Sequence, residues 1–178
     1  MSRWKPGDRR EPTEAMIRVD QAGEYGATRI YAGQLAVMGD RTPTARTIAG
    51  MANQEEHHRA FFDAMIAKRG VRPTLIQPLW DVAGFALGMV TAAMGPRAAM
   101  ACTAAIETEI DLHYAAQLAQ LGDSDPELRD AVARFRDEEI EHRDTAIASG
   151  AETTPGYPVL SAVIRAGCRL AIAVSKRV

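Results

Sequence analysis

Glu55-Glu56-His57-His58 sets a carboxylate and an imidazole three residues apart, and Glu139-Ile140-Glu141-His142 repeats the arrangement. On an α-helix, residues i and i+3 lie about 60° apart around the axis and roughly 4.5 Å apart along it, so both side chains can face one point. Each pair has a forerunner. Glu24 stands 31 residues before Glu55, and Glu107 stands 32 before Glu139. Seven residues after each forerunner comes a tyrosine, Tyr31 and Tyr114. If one helical hairpin turns near Arg41 and a second near Ser124, each forerunner comes to the height of its Glu-x-x-His pair. Two matching half-sites result.

Outward from these motifs, helix formers dominate and the breaks are regular: Pro12, Pro43, Gly70 with Pro73, Gly95-Pro96, Asp123 to Pro126, and Gly150 through Pro158. They predict helices near 13–38, 44–69, 76–94, 97–122, 126–149 and 157–176, with no convincing strand pattern. Thr13, Thr42, Ser124 and Thr154 lie near four of the starts, and Ser124-Asp125-Pro126-Glu127 makes a good helix entry. The fold class is therefore all-α, six helices in an antiparallel bundle. With 178 residues and 47% hydrophobic content, the chain fits a single domain over 13–178, preceded by a loose polar arm over 1–12. That arm lacks the apolar run of a secretory signal.

Facing hairpins would bring four carboxylates and two imidazoles into one core. Bare carboxylates gathered in a low-dielectric interior repel one another or take up protons, so the cluster needs cations. Two divalent ions neutralise four glutamates. Hard oxygens with two nitrogens and no thiolate suit iron or manganese rather than structural zinc, and iron is the expected metal. The alternative is that these glutamates sit on solvated helix faces. Periodicity argues otherwise: Ile17, Glu24, Tyr31 and Met38 share one heptad stripe, as do Met100, Glu107, Tyr114 and Leu121. Glu109 competes with Glu107, since Cys102, Ala105, Ile106 and Leu112 give it apolar neighbours too, and spacing leaves that choice open. Glu56, His57, Glu138 and Glu141 fall off the converging faces and are expected in solvent.

The net charge of −2 gives no indication of nucleic acid as a partner. Cys102 and Cys168 stand far apart in sequence, which suggests neither a disulfide framework nor a thiolate metal site, and fits a reducing cytoplasm. No Gly-x-Gly-x-x-Gly fingerprint follows a strand, so no nicotinamide-binding domain of that type is expected. Two segments concern a membrane. Val82 to Met94 has Thr91 as its only polar side chain and is too short to span a bilayer, so it reads as a buried helix or an interfacial one. In the last helix Arg165, Arg169 and Lys176 gather on one side and Val159, Leu160, Val163, Ile164, Leu170 and Val174 on another. That pattern reads as a cationic helix able to lie on an anionic bilayer, or as an ordinary helix packed on the bundle.

The stretches Arg18-Val-Asp-Gln-Ala-Gly-Glu-Tyr-Gly-Ala27, Arg29-Ile-Tyr-Ala-Gly-Gln34, Arg72-Pro-Thr74, Pro78-Leu-Trp80, Gly84-Phe-Ala-Leu-Gly88, Ala99-Met-Ala-Cys-Thr103 and Phe135-Arg-Asp-Glu-Glu139 resemble the demethoxyubiquinone hydroxylase family of ubiquinone biosynthesis. The resemblance implies a ferritin-like antiparallel four-helix bundle with two additional apolar or amphipathic helices. It implies Glu24, Glu55, His58, Glu107, Glu139 and His142 as ligands of two irons, with Glu55 and Glu139 bridging and Glu107 preferred over Glu109. It also implies hydroxylation of a polyprenyl quinone ring by O₂, NADH as electron donor, and peripheral attachment to the cytoplasmic face of the cell membrane. A lipid-presenting protein of the same pathway is a candidate partner, and a homo-oligomer is compatible with the reading. His113 and Tyr114 are candidates for proton or electron movement beside the metals, or else a hydrogen-bonded core pair. A ferritin-like protein that oxidises iron or destroys peroxide would need the same ligands without a quinone pocket.

Overall fold

The computed structural model describes residues 12–178, so the arm expected over 1–12 lies, Pro12 apart, outside the described residues. Among them the regular structure is entirely helical: α1 (Thr13–Met38), α2 (Pro43–Arg69), α3 (Gln77–Ala93), α4 (Pro96–Leu121), α5 (Pro126–Ala148) and α6 (Tyr157–Ser175). A short 3-10 turn, Ala151–Thr153, precedes α6. The predicted boundaries hold to within a residue or two because proline and glycine set them. Pro43, Pro96 and Pro126 each occupy a first helical position, where no backbone N–H is missed and φ is already helical. Gly70 closes α2 at φ 65°, a conformation that side chains with a Cβ rarely adopt.

Of the four residues near helix starts, Thr42 caps its helix, accepting from the backbone of Ala45 at 3.1 Å. At α5 the cap is Asp125, which accepts from Leu128 N at 3.2 Å, while the Ser124 hydroxyl donates back to Leu121 O at 2.6 Å. A carboxylate suits that position because Arg69 of α2 reaches it across the bundle. Thr13 is already inside α1, which follows Pro12 without a side-chain cap. Thr154 ends the 3-10 turn rather than opening α6.

Helices α1, α2, α4 and α5 contribute to one buried cluster, with Ile17, Phe62, Leu121, Leu128 and Phe135 at its centre. α3 lies along α1 and α6 along α4. The α1–α3 contact is backbone to backbone. A Cβ on Gly88 would stand 2.0 Å from the carbonyl oxygen of Ile30, and one on Gly33 would stand 2.1 Å from that of Phe85. Trp80 of α3 donates to the Ser175 hydroxyl of α6 at 3.2 Å.

Each of these two outer helices packs on the bundle by one edge and leaves an apolar edge exposed. The Val82–Met94 run is buried along one edge only: Gly88, Thr91 and Ala92 pack inward, Thr91 bonding the carbonyl of Leu87, while Val82, Val90 and Met94, with Leu79 just before the run, face outward. The cationic stripe expected on α6 faces inward at Arg165 and Arg169, whose guanidiniums donate to Glu109 of α4 at 2.6 and 2.8 Å. The expected apolar sector splits in two. Ile164 packs on Ile30, Cys102 and Ile106, whereas Val159, Val163 and Leu170 are 63–70% exposed. By length and composition α6 could cross a membrane. Its attachment to α4 through buried Glu109 instead lays it along the bundle.

Candidate metal centre

All six predicted ligands converge. Glu24 comes from α1, Glu55 and His58 from α2, Glu107 from α4, and Glu139 and His142 from α5. Each is at most 3% exposed. They form two groups whose donor atoms lie within 4.8 Å of one another: Glu24, Glu55, His58 and Glu139, and Glu55, Glu107, Glu139 and His142. Glu55 and Glu139 belong to both. The Nδ1 of His58 lies 3.1 Å from Glu139 Oε1 and 3.5 Å from Glu24 Oε2. The Nδ1 of His142 lies 3.1 Å from Glu55 Oε1 and 3.2 Å from Glu139 Oε2. Both rings thus aim the same nitrogen at the shared carboxylates.

The chemistry of this cluster fits divalent ions. Glu24 Oε2, both carboxylate oxygens of Glu55, Glu107 Oε2, Glu139 Oε2 and His142 Nδ1 are buried without a hydrogen-bond partner. Leaving a buried polar atom unmatched costs about 1–3 kcal/mol, and cations at this point could answer all of them. Burial, then mutual repulsion, pushes Glu55 and Glu107 well above the usual carboxylate range. Burial also raises Glu139, against the pull of His58. Burial opposes charge on His58, but its bonds to Glu139 and Glu24 outweigh this and push it up to about 11. His142 moves the other way, lowered chiefly by burial. Bare, the site holds extra protons that metal ions would displace.

Around the centre lies a set of partners that crosses between hairpins. Tyr31, seven residues after Glu24, donates to Glu107 at 2.7 Å. Tyr114, seven residues after Glu107, donates to Glu24. Gln54 Oε1 accepts from Nε2 of His142 at 2.9 Å, and Glu138 Oε2 accepts from Nε2 of His58 at 2.6 Å. Glu138 is therefore not the solvated residue expected from its helix face: it reaches across to α2 with its side chain 31% exposed. Glu56 and His57 do stay at the surface, on Arg59 and the Asn53 carbonyl, and Glu141 is exposed.

Glu109 is also buried, but Arg165 and Arg169 neutralise it away from the cluster. His113 bonds Asp20 at 3.0 Å, and Gln117 donates to the second Asp20 oxygen at 2.7 Å. Desolvation raises the Asp20 carboxyl despite both contacts. The sequence reading did not single out Asp20, Gln54 or Gln117. Gln54 and Glu138 did carry a signal, since each immediately precedes the glutamate of a Glu-x-x-His pair.

The family model described as Ubiquinone biosynthesis protein COQ7 matches residues 11–175. A 3-demethoxyubiquinol 3-hydroxylase from Rhodospirillum rubrum is 54% identical over 165 residues, covering 93% of this chain and 78% of that protein. The NADPH-dependent 3-demethoxyubiquinone 3-hydroxylase, mitochondrial, of Mus musculus is 50% identical over 173 residues, covering 94% and 79%. The 5-demethoxyubiquinone hydroxylase, mitochondrial, of Saccharomyces cerevisiae is 41% identical over 181 residues, covering 93% and 78%. Since one family model runs from before the first helix to the last residue of α6, through every member of the buried Glu and His cluster, the chain belongs to the COQ7 family.

Proposed function

We propose that this protein is a di-iron monooxygenase that hydroxylates the ring of a demethoxyubiquinone or demethoxyubiquinol intermediate in ubiquinone biosynthesis. The observation that carries the reading is the pair of buried donor groups sharing Glu55 and Glu139. In this reading residues 13–178 form one ferritin-like domain, with α1, α2, α4 and α5 as an antiparallel four-helix bundle able to hold two irons. Glu24 and His58 would hold one ion and Glu107 and His142 the other, with Glu55 and Glu139 available to both. Bound and reduced, a di-iron pair there would supply two electrons for reduction of O₂, so that with two protons one oxygen atom goes to the ring and the other to water.

The chain's own groups set the stage for that chemistry. Tyr31 and Tyr114 fix the rotamers of Glu107 and Glu24. Phe61, Phe62 and Phe135 pack together on the α2–α5 side, with the His58 ring centred 4.1 Å from that of Phe135 and tilted 31° to it, an apolar wall beside the centre. His113, held by Asp20, and Tyr114 form the proposed route for protons or electrons on the α1–α4 side. A nicotinamide cofactor is the proposed reductant.

The apolar faces of α3 and α6 supply the other half of the reading. Leu79, Val82, Val90, Val159, Val163 and Leu170 are all more than half exposed, a surface that water disfavours and a bilayer accepts. A polyprenyl substrate lives in that bilayer, so peripheral attachment at the cytoplasmic face of the cell membrane brings enzyme and substrate together. A lipid-presenting protein of the pathway or a second copy of the chain are further partners on this view. An iron-storing or peroxide-removing protein would give these exposed residues no task. Mass spectrometry of quinones in cells lacking the protein tests the proposal. Accumulation of the demethoxy precursor is expected, and an unchanged quinone profile would refute it.

A further inference from the structure

The two imidazoles are held alike at their outer edges, but by groups of different charge. His58 and His142 both direct Nδ1 to the shared carboxylates, which leaves Nε2 to carry the proton and donate outward. For His58 the acceptor is the Glu138 carboxylate at 2.6 Å; for His142 it is the Gln54 amide oxygen at 2.9 Å. Each acceptor sits one residue before a shared glutamate and crosses to the other hairpin, so the halves are alike in layout. They differ in the acceptor's charge. A charged acceptor makes a stronger bond than a neutral one and pushes electron density through the ring onto the inner nitrogen.

We propose that Glu138 and Gln54 are positioning residues that make the two metal positions unequal. Glu138 makes His58 the stronger donor, so the position held by Glu24 and His58 binds a divalent ion more tightly and favours the ferric state. Gln54 orients His142 without adding charge, leaving the Glu107 and His142 position weaker. The inference rests on the di-metal reading above. Glu138 is half-buried and Gln54 exposed, so exchanging carboxylate for amide at Glu138, or amide for carboxylate at Gln54, leaves the apolar core untouched.

Anaerobic titration of the purified full chain with Co²⁺, followed by calorimetry and visible absorption, tests this. The unaltered protein is expected to bind two ions in unequal steps. Glu138→Gln should weaken the tighter step by roughly 10–100-fold, bringing the two constants together, and Gln54→Glu should bring them together by tightening the weaker step. Glu141→Gln, exposed on the same helix, controls for loss of surface charge and should change neither step. In the ⁵⁷Fe-loaded, oxidised protein, two quadrupole doublets should draw together in Gln54→Glu.

Two ions bound by Glu138→Gln with the ratio of constants seen in Glu141→Gln would overturn the proposal. Failure of the unaltered protein to bind paired ions would instead overturn the di-metal reading. If circular dichroism shows that Glu138→Gln does not fold, Gln54→Glu decides alone: an unchanged weaker step refutes the inference.

Discussion

Tyr31 on α1 donates its phenol to Glu107 on α4 at 2.7 Å, across 76 residues of chain. Tyr114 on α4 returns the favour to Glu24 on α1. Each tyrosine therefore fixes the carboxylate of the opposite helix. Tyr31→Phe strips Glu107 of its buried donor, which costs about 1–3 kcal/mol. The expected result is a lower unfolding temperature in metal-free protein and iron affinity reduced roughly 10-fold or more. Thermal unfolding and chelator competition measure the two. Unchanged iron affinity would mean that the phenol does not orient a ligand.

Stability without metal should depend on pH in an unusual direction. Glu55, Glu107 and Glu139 are raised above 4.5 by burial and repulsion, so the folded state holds protons that the unfolded chain releases. Stability from these groups is complete below about 4.5 and falls as pH rises through their folded values. His58 acts in the same sense, losing its contribution as pH climbs from 6.5 towards about 11. His142, lowered from 6.5, acts in the opposite sense but alone. Metal-free protein is thus expected to unfold at a higher temperature near pH 6 than near pH 8. Added Fe²⁺ should stabilise it more at the higher pH. Calorimetric scans at both values, with and without metal, check the sign.

Two glycines should respond oppositely to a side chain. Gly88 packs against the Ile30 carbonyl, and a Cβ there would stand 2.0 Å from that oxygen. Gly88→Val must push α3 off α1, at a cost of about 1–3 kcal/mol or more. Gly23, exposed within α1, has nothing within 4 Å of its would-be Cβ. Gly23→Ala should add about 0.5–1 kcal/mol by removing backbone freedom from the unfolded chain. Denaturant titration of both variants gives the comparison.

Vesicle co-sedimentation probes the outer face. Val82 is 68% exposed on α3 and Val163 65% exposed on α6, so aspartate at either position meets little protein. Val82→Asp and Val163→Asp should keep the unfolding temperature within a few degrees while cutting sedimentation with anionic vesicles several-fold. Undiminished sedimentation of the double variant would separate membrane binding from this surface.

Helix limits and the convergence of the six Glu and His side chains were legible because proline, glycine and heptad spacing act locally. The choice between Glu107 and Glu109 was not, because it depends on Arg165 and Arg169, which arrive from a helix 56 and 60 residues further on. The same arginines decide between the two readings of α6, in favour of a helix packed on the bundle. A periodic pattern shows that charge gathers on one side of a helix, not which side meets the bundle. Glu138 was misplaced for a related reason: angle around a helix ignores side-chain reach, and a glutamate off the central face can still touch a ring on the neighbouring rod.

The crossed bonding has a consequence for synthesis. When α1 and α2 leave the ribosome, Glu24, Glu55 and His58 are present, but Tyr114, Glu138 and Glu139 are still unmade. The first hairpin must wait with its acidic lining wetted, since closing early would bury charge with nothing to answer it. Completion of the centre is thereby tied to arrival of the second hairpin, so a chain cut short before α5 exposes an acidic seam rather than a false, half-finished site.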